Sequence, residues 1–131
     1  MITRDAATQL TVGEVMLSRP KTLGTDATVG DLRRLFENRS VRTALLVDGE
    51  AFFGAVERDD VPDTAGDGEP ARAFAHADDE RVHPGQRVSD VIPQLDASRE
   101  GRLVVVDDDG STLRGLLCLS GVEGAFCSGD R

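Results

Sequence analysis

The residues best suited to chemistry in this chain are few and scattered. His76 and His83 are its two histidines; neither has the Cys or Asp spacing typical of zinc, so both read as surface or packing residues. Asp107-Asp108-Asp109-Gly110 gathers acids beside a glycine, but a calcium loop needs alternating acids and a distant Glu, so the run reads as a hairpin turn. Cys118 sits in an apolar stretch and reads as a small buried hydrophobe. Cys127, near the tail, reads as exposed and oxidisable, with nothing nearby to activate it as a thiolate. Asp59 or Asp60 opens a helix, where an acid stabilises the positive end of the helix dipole. No nucleophile–base set, glycine-rich phosphate loop or paired-carboxylate site emerges, and the chain reads as non-enzymatic with no resident cofactor or metal.

The elements that must position these residues occur twice. Shifting the sequence by 59 residues places Val29 on Val88, Asp31 on Asp90, Val47 on Val106 and Asp48 on Asp107. A two-residue insertion in the second copy then brings Gly54 onto Gly115. The apolar pattern repeats as well: Leu32 with Val91, Phe36 with Leu95, Val56 with Leu117. A repeat of this period marks two similar supersecondary units. In the first, Thr11 caps a short helix over 12–16 that ends before Pro20, and 21–23 is a short strand. Thr28 caps a second helix with Asp31 in the capping-box place, and Val29, Leu32, Leu35 and Phe36 form its buried stripe. Strands over 44–47 and 52–56 flank the Asp48-Gly49 hairpin signal. The second copy predicts a helix over 71–76, a strand at 81–82 and a helix over 88–98, starting near Ser89 so that Pro93 falls in its first turn. Strands over 103–106 and 113–119 flank a turn at 107–111, and a last helix runs from a Ser120 cap to near Phe126. The repeats are bounded at 10–62 and 71–127, and the Gly-, Pro- and acid-rich stretch 63–70 links them.

Composition narrows the function classes. The 131 residues are 39% hydrophobic and 30% charged, and no apolar run approaches the ~20 residues of a membrane span. The N-terminal MITRDAATQL lacks the apolar core of a signal peptide, and two cysteines are too few for a disulfide framework, so a reduced, cytoplasmic setting is expected. The net charge of −9 makes the chain a poor nucleic-acid binder and weakly opposes polyphosphates.

The runs VGEVM…TLGTDATVGDL…VRTALLVDGE…GAVERDDV resemble a CBS domain, and RVHPGQRVSDV…GRLVVVDDDG…GLLCLSGV resembles a second. Together they resemble a tandem CBS pair, or Bateman module. The resemblance implies an α/β fold of two units, each a small mixed sheet with flanking helices, packed with pseudo-two-fold symmetry and leaving two clefts. It also implies a regulatory, non-catalytic module, commonly a homodimer, whose clefts bind adenosyl ligands such as AMP, ADP, ATP or S-adenosylmethionine. The family's ribose signature is Gly, two apolar residues, Ser or Thr, two more, then Asp. The first copy reads Gly54-Ala55-Val56-Glu57-Arg58-Asp59-Asp60, so Asp60 matches and Glu57 stands in the hydroxyl place. The second copy has Cys118 and Gly121 at the two polar positions, so its cleft reads as degenerate. The resemblance carries Lys21 and Thr22 to the base, and Arg42, Thr43 or Arg58 to a phosphate. Arg102 is the second copy's counterpart of Thr43. The expected function is binding of an adenosyl ligand in the first cleft and signalling to an effector protein in trans. The alternative is a ligand-independent dimerisation or docking scaffold.

Overall fold

The computed structural model describes residues 2–39, 41–77, 81–98, 101–120 and 125–126. In chain order the elements are α1 (Arg4–Ala7), α2 (Val12–Val15), β1 (Thr22–Gly24), α3 (Val29–Phe36), β2 (Thr43–Asp48) and β3 (Ala51–Glu57), followed by 3-10 turns at Arg58–Asp60 and Ala71–Phe74. Then come β4 (Arg81–Val82), α4 (Val88–Ala97), β5 (Arg102–Val106), β6 (Leu113–Ser120) and β7 (Ala125–Phe126). The strands form two mixed sheets, in the order β1-β2-β3 and β4-β5-β6-β7. In each, a short strand runs parallel to the central one, and a hairpin adds its antiparallel neighbour. Both hairpins carry a register shift at the same place, between Leu46 and Val47 and between Val105 and Val106. This is the α/β architecture of two small helix-flanked mixed sheets.

The chain forms two compact units, Pro20–Asp78 (the inner unit) and Met1–Arg19 with Asp79–Asp130 (the outer unit). The repeat bounds cut across them. Residues 10–19 open the first repeat but lie in the outer unit, while 71–78 open the second but lie in the inner one. The bonding shows why. Val12 N–H donates to Gln86 O, Gly13 N–H to Pro84 O and Val88 N–H to Leu10 O, at 2.8–3.0 Å. Leu17 and Leu116 then exchange two backbone hydrogen bonds. Val12 and Val15, one helical turn apart, enter the outer core with Val82, Val88, Val91, Leu95, Leu103, Val105, Leu117 and Phe126. Ala71 enters the inner core of Leu32, Phe36, Val41, Ala44, Leu46 and Val56.

The stretch 63–70 belongs to the inner unit's body. Its carbonyls at Asp67 and Glu69 accept the Gly30 and Val29 amides, donors that the first turn of α3 leaves without helical partners. Arg33 on α3 pairs with Asp67. Thr28 and Asp31 form the expected capping box. The Thr28 N–H donates to Asp31 Oδ2 at 3.0 Å and holds that carboxyl below the usual carboxylate range, with further help from the Thr28 hydroxyl and Arg34.

Several expectations are corrected. The helix expected from Asp59 or Asp60 is only the 3-10 turn Arg58–Asp60. Pro62 disfavours helical backbone at Val61 (φ −96, ψ 111), and Gly66, Gly68 and Pro70 keep the rest in turns. The 71–76 helix is a 3-10 turn over Ala71–Phe74. α4 starts at Val88, so Pro93 lies in its interior rather than in its first turn. The last helix is absent where described: Ser120 continues β6, and Ala125–Phe126 pairs with it as β7. Cys118 is half-buried and disulfide-bonded, not a reduced thiol. Arg102, the counterpart of Thr43, is buried at 5% exposure. Gly121 and Cys127 lie outside the described residues. The helix α1, capped by the Thr3 side chain, was not foreseen.

Candidate functional site

The candidate residues gather at one end of the inner sheet, where β1 and β2 begin and β3 ends. Register sets this: Thr22 pairs with Leu45, and Thr43 pairs with Glu57. Lys21 and Arg42, one residue before each strand, anchor the end through their carbonyls, which accept the Leu45 and Arg58 amides at 3.2 and 3.0 Å. Lys21, Thr22 and Arg42 are exposed, and the two cations have no ion-pair partner among the described residues.

Glu57 is held in place. The Thr43 hydroxyl donates to Glu57 Oε2 at 2.7 Å. Glu57 and Asp60 form a capping box around the 3-10 turn, with the Glu57 N–H donating to Asp60 Oδ2 at 2.7 Å. The acid that replaces the family hydroxyl is therefore tied to the sheet end and to its own turn.

Arg58 is turned to another task. Its Nη1 donates to Phe36 O at 2.6 Å, and its Nη2 to Asn38 O at 3.2 Å and Val41 O at 2.5 Å. Its guanidinium carbon lies 5.1 Å from the centre of the Phe36 ring. It satisfies carbonyls at and beyond the end of α3, where a cation is favoured by the helix dipole. These carbonyls engage the guanidinium that was expected to reach a phosphate. A hollow of about 270 Å³ beside it is lined by Leu32, Arg33, Phe36, Glu37, Val61 and Asp63, and Asp60 is not among its walls.

Asp60 is the residue whose surroundings the sequence hid. Its side chain is 25% exposed, and His76 Nε2 lies 2.6 Å from its Oδ2. A carboxylate can only accept, so the imidazole N–H donates. His76 arrives because its segment runs beside β3, exchanging two backbone bonds with Ala55 at 2.8 and 2.9 Å. Gly54 permits that approach: a Cβ there would stand 2.8 Å from His76 O. His76 is thus neither idle surface nor packing. Nothing in its spacing from Asp60 pointed to the pair, because the chain first passes through the turns of 61–70.

The outer unit repeats the frame with different side chains. A Cβ on Gly115 would stand 2.4 Å from Leu17 O, and Leu17 bridges Leu116 as His76 bridges Ala55. Leu17 thus occupies the place of His76, and Cys118 that of Glu57. His83 holds backbone: its Nδ1 lies 3.1 Å from Val106 O. Among the described residues no group of three or more His, Cys, Asp or Glu side chains could hold a metal ion. No described helix is long and apolar enough to cross a membrane.

Comparison with known proteins agrees with this geometry. Residues 12–62 match the CBS domain family model. No curated protein matches the sequence. The CBS-pair protein CBSX2 of Arabidopsis thaliana superposes with a TM-score of 0.72 at 22% identity, over 82% of this chain and 87% of that one. A structure of CBSX2 in complex with AMP gives 0.71 at 23% identity, over 82% and 89%. A CBS domain pair/ACT domain protein from Thermotoga maritima gives 0.69 at 19% identity, over 82% and 88%. Residues 12–62 thus carry the CBS domain pattern, and the chain as a whole has the fold of a CBS pair.

Proposed function

We propose that this chain is a regulatory, non-catalytic module that binds an adenosyl ligand at the Asp60 end of the inner sheet and signals to an effector protein in trans, as a homodimer. The observation that carries the reading is Asp60, a partly exposed carboxylate at the same sheet end as Lys21 and Arg42, cations with no ion-pair partner among the described residues. An acceptor-only carboxylate suits the vicinal hydroxyls of a ribose, and Lys21 or Arg42 suits a phosphate. The AMP complex of CBSX2, a protein of the same fold, supports this ligand class. Thr22 and its backbone neighbours would face the base. The Thr43 hydroxyl, engaged by Glu57, would orient that acid rather than meet ligand.

Thermal unfolding against AMP, ADP, ATP and S-adenosylmethionine tests the reading. A ligand at ~100 times its Kd adds roughly 2.7 kcal/mol of stability. The shift disappears in Asp60→Asn if the site is correct. A stable dimer that ignores every ligand would instead favour a docking scaffold, the reading favoured by the apolar groups at the corresponding place in the outer unit.

A further inference from the structure

We infer that His76 is an internal competitor for the ligand at Asp60, so that the site is closed by its own chain until a diol displaces the imidazole; this rests on the reading of Asp60 as the ribose acceptor. The argument is atomic. Both donors to Asp60, the Glu57 N–H and His76 Nε2, meet at Oδ2, and no described donor reaches Oδ1. A vicinal diol places two O–H donors side by side on one carboxylate. Oδ1 can take the first. In bidentate binding the second falls on Oδ2, where the backbone amide is fixed by the turn and the imidazole is the partner that can leave. The His76 side chain is 54% exposed, so it can rotate into solvent without leaving a buried group unsatisfied.

Displacement also reaches the backbone. His76 and Ala55 exchange two hydrogen bonds, and Ala75 and His76 lie within 3.1 Å of where a Gly54 Cβ would stand. The imidazole–carboxylate contact thus fastens the strap 75–76 along β3. Occupancy of Asp60 therefore loosens the strap's hold on β3. A ligand that must first open the contact shows an affinity reduced by the fraction of molecules already open. The outer unit has Leu17 at the matching place, whose apolar side chain can donate no hydrogen bond to a carboxylate.

The test is calorimetric titration of AMP into the whole chain, as wild type, His76→Leu, His76→Ala and Asp60→Asn. His76→Leu copies the outer unit's residue and keeps the strap's backbone pairing if the smaller variant does not fold. Both His76 variants are expected to bind AMP roughly two- to tenfold more tightly than wild type, the scale of one hydrogen bond. In wild type, AMP should speed hydrogen exchange at the Ala55 and His76 amides, and Asp60→Asn should speed it without ligand. Binding by His76→Leu alone would support the inference in its strongest form. Equal or weaker binding by the His76 variants, with wild type still binding, overturns the inference and leaves the Asp60 site standing. No binding by any variant overturns both.

Discussion

The two units solve one packing problem with different chemistry. In each, a short segment from the other repeat lies beside the hairpin's outer strand, and a glycine there lets the backbones approach. The inner unit places His76, Asp60, Glu57 and Thr43 at the sheet end, whereas the outer unit places Leu17, Cys118 and the buried Arg102 at the equivalent positions described. The capping differs too. α3 has a Thr28–Asp31 capping box, but α4 begins after Arg87 with no side-chain cap and carries Pro93. A frame repeated for packing has therefore diverged in its polar groups.

The comparison can be broken most forcefully at the paired glycines. Gly115→Ala brings a methyl to 2.4 Å from Leu17 O and 2.7 Å from Met16 Sδ, while Gly54→Ala meets His76 O at 2.8 Å. Both should destabilise, Gly115→Ala by about 1–3 kcal/mol and Gly54→Ala by less, read from urea unfolding midpoints. A midpoint unchanged from wild type in either variant would mean that its strand and strap do not approach as closely as the glycine allows.

The helices give the next largest effect. Pro93 is exposed and removes the hydrogen bond that a residue there would donate to the Ser89 carbonyl. Pro93→Ala should stabilise by about 1–2 kcal/mol, the helix-interior penalty of proline less the gain in unfolded-chain freedom. Arg34→Pro, at the matching place on α3, should destabilise. A Pro93→Ala variant no more stable than wild type would show that α4 is shaped around its proline.

The smallest expected effect is a pH dependence. The Asp109 carboxylate accepts the Thr112 hydroxyl, the Thr112 N–H and the Ser111 N–H, which lower its pKa to about 2. The folded value lies below the ordinary ~3.9, so this hairpin's contribution is complete above about pH 4 and is lost as pH falls toward 2. The stability difference between wild type and Asp109→Ala should be constant from pH 7 to 5 and shrink below 4. A difference that persists at pH 2 would remove the carboxylate as its source.

How much of this was legible in the residues follows from the range of the forces involved. The two-fold repeat, the α3 capping box, the strands and both hairpins are local: a Thr three residues before an acid, an apolar stripe at helical spacing, an Asp-Gly between apolar runs. These features act over a few residues and survive in any context that buries the stripe. The glycine-to-aspartate spacing that places Asp60 after β3 is local in the same way. The roles of the polar side chains were not local. Arg58 and Glu57 both stand near the site in sequence, yet Arg58 folds back onto carbonyls some twenty residues earlier, and Glu57 is captured by Thr43 across the strand pair. Pro62 and the glycines after it replaced an expected helix with a strap on α3, and that turn-rich path brought His76 to Asp60. Sequence alone determined the pair of α/β repeats and the position of their one family-like carboxylate. Tertiary structure alone decided which segment each unit borrows and which charges remain available, because a long side chain is committed by the nearest unsatisfied partner in space, and pattern along the chain does not record that distance.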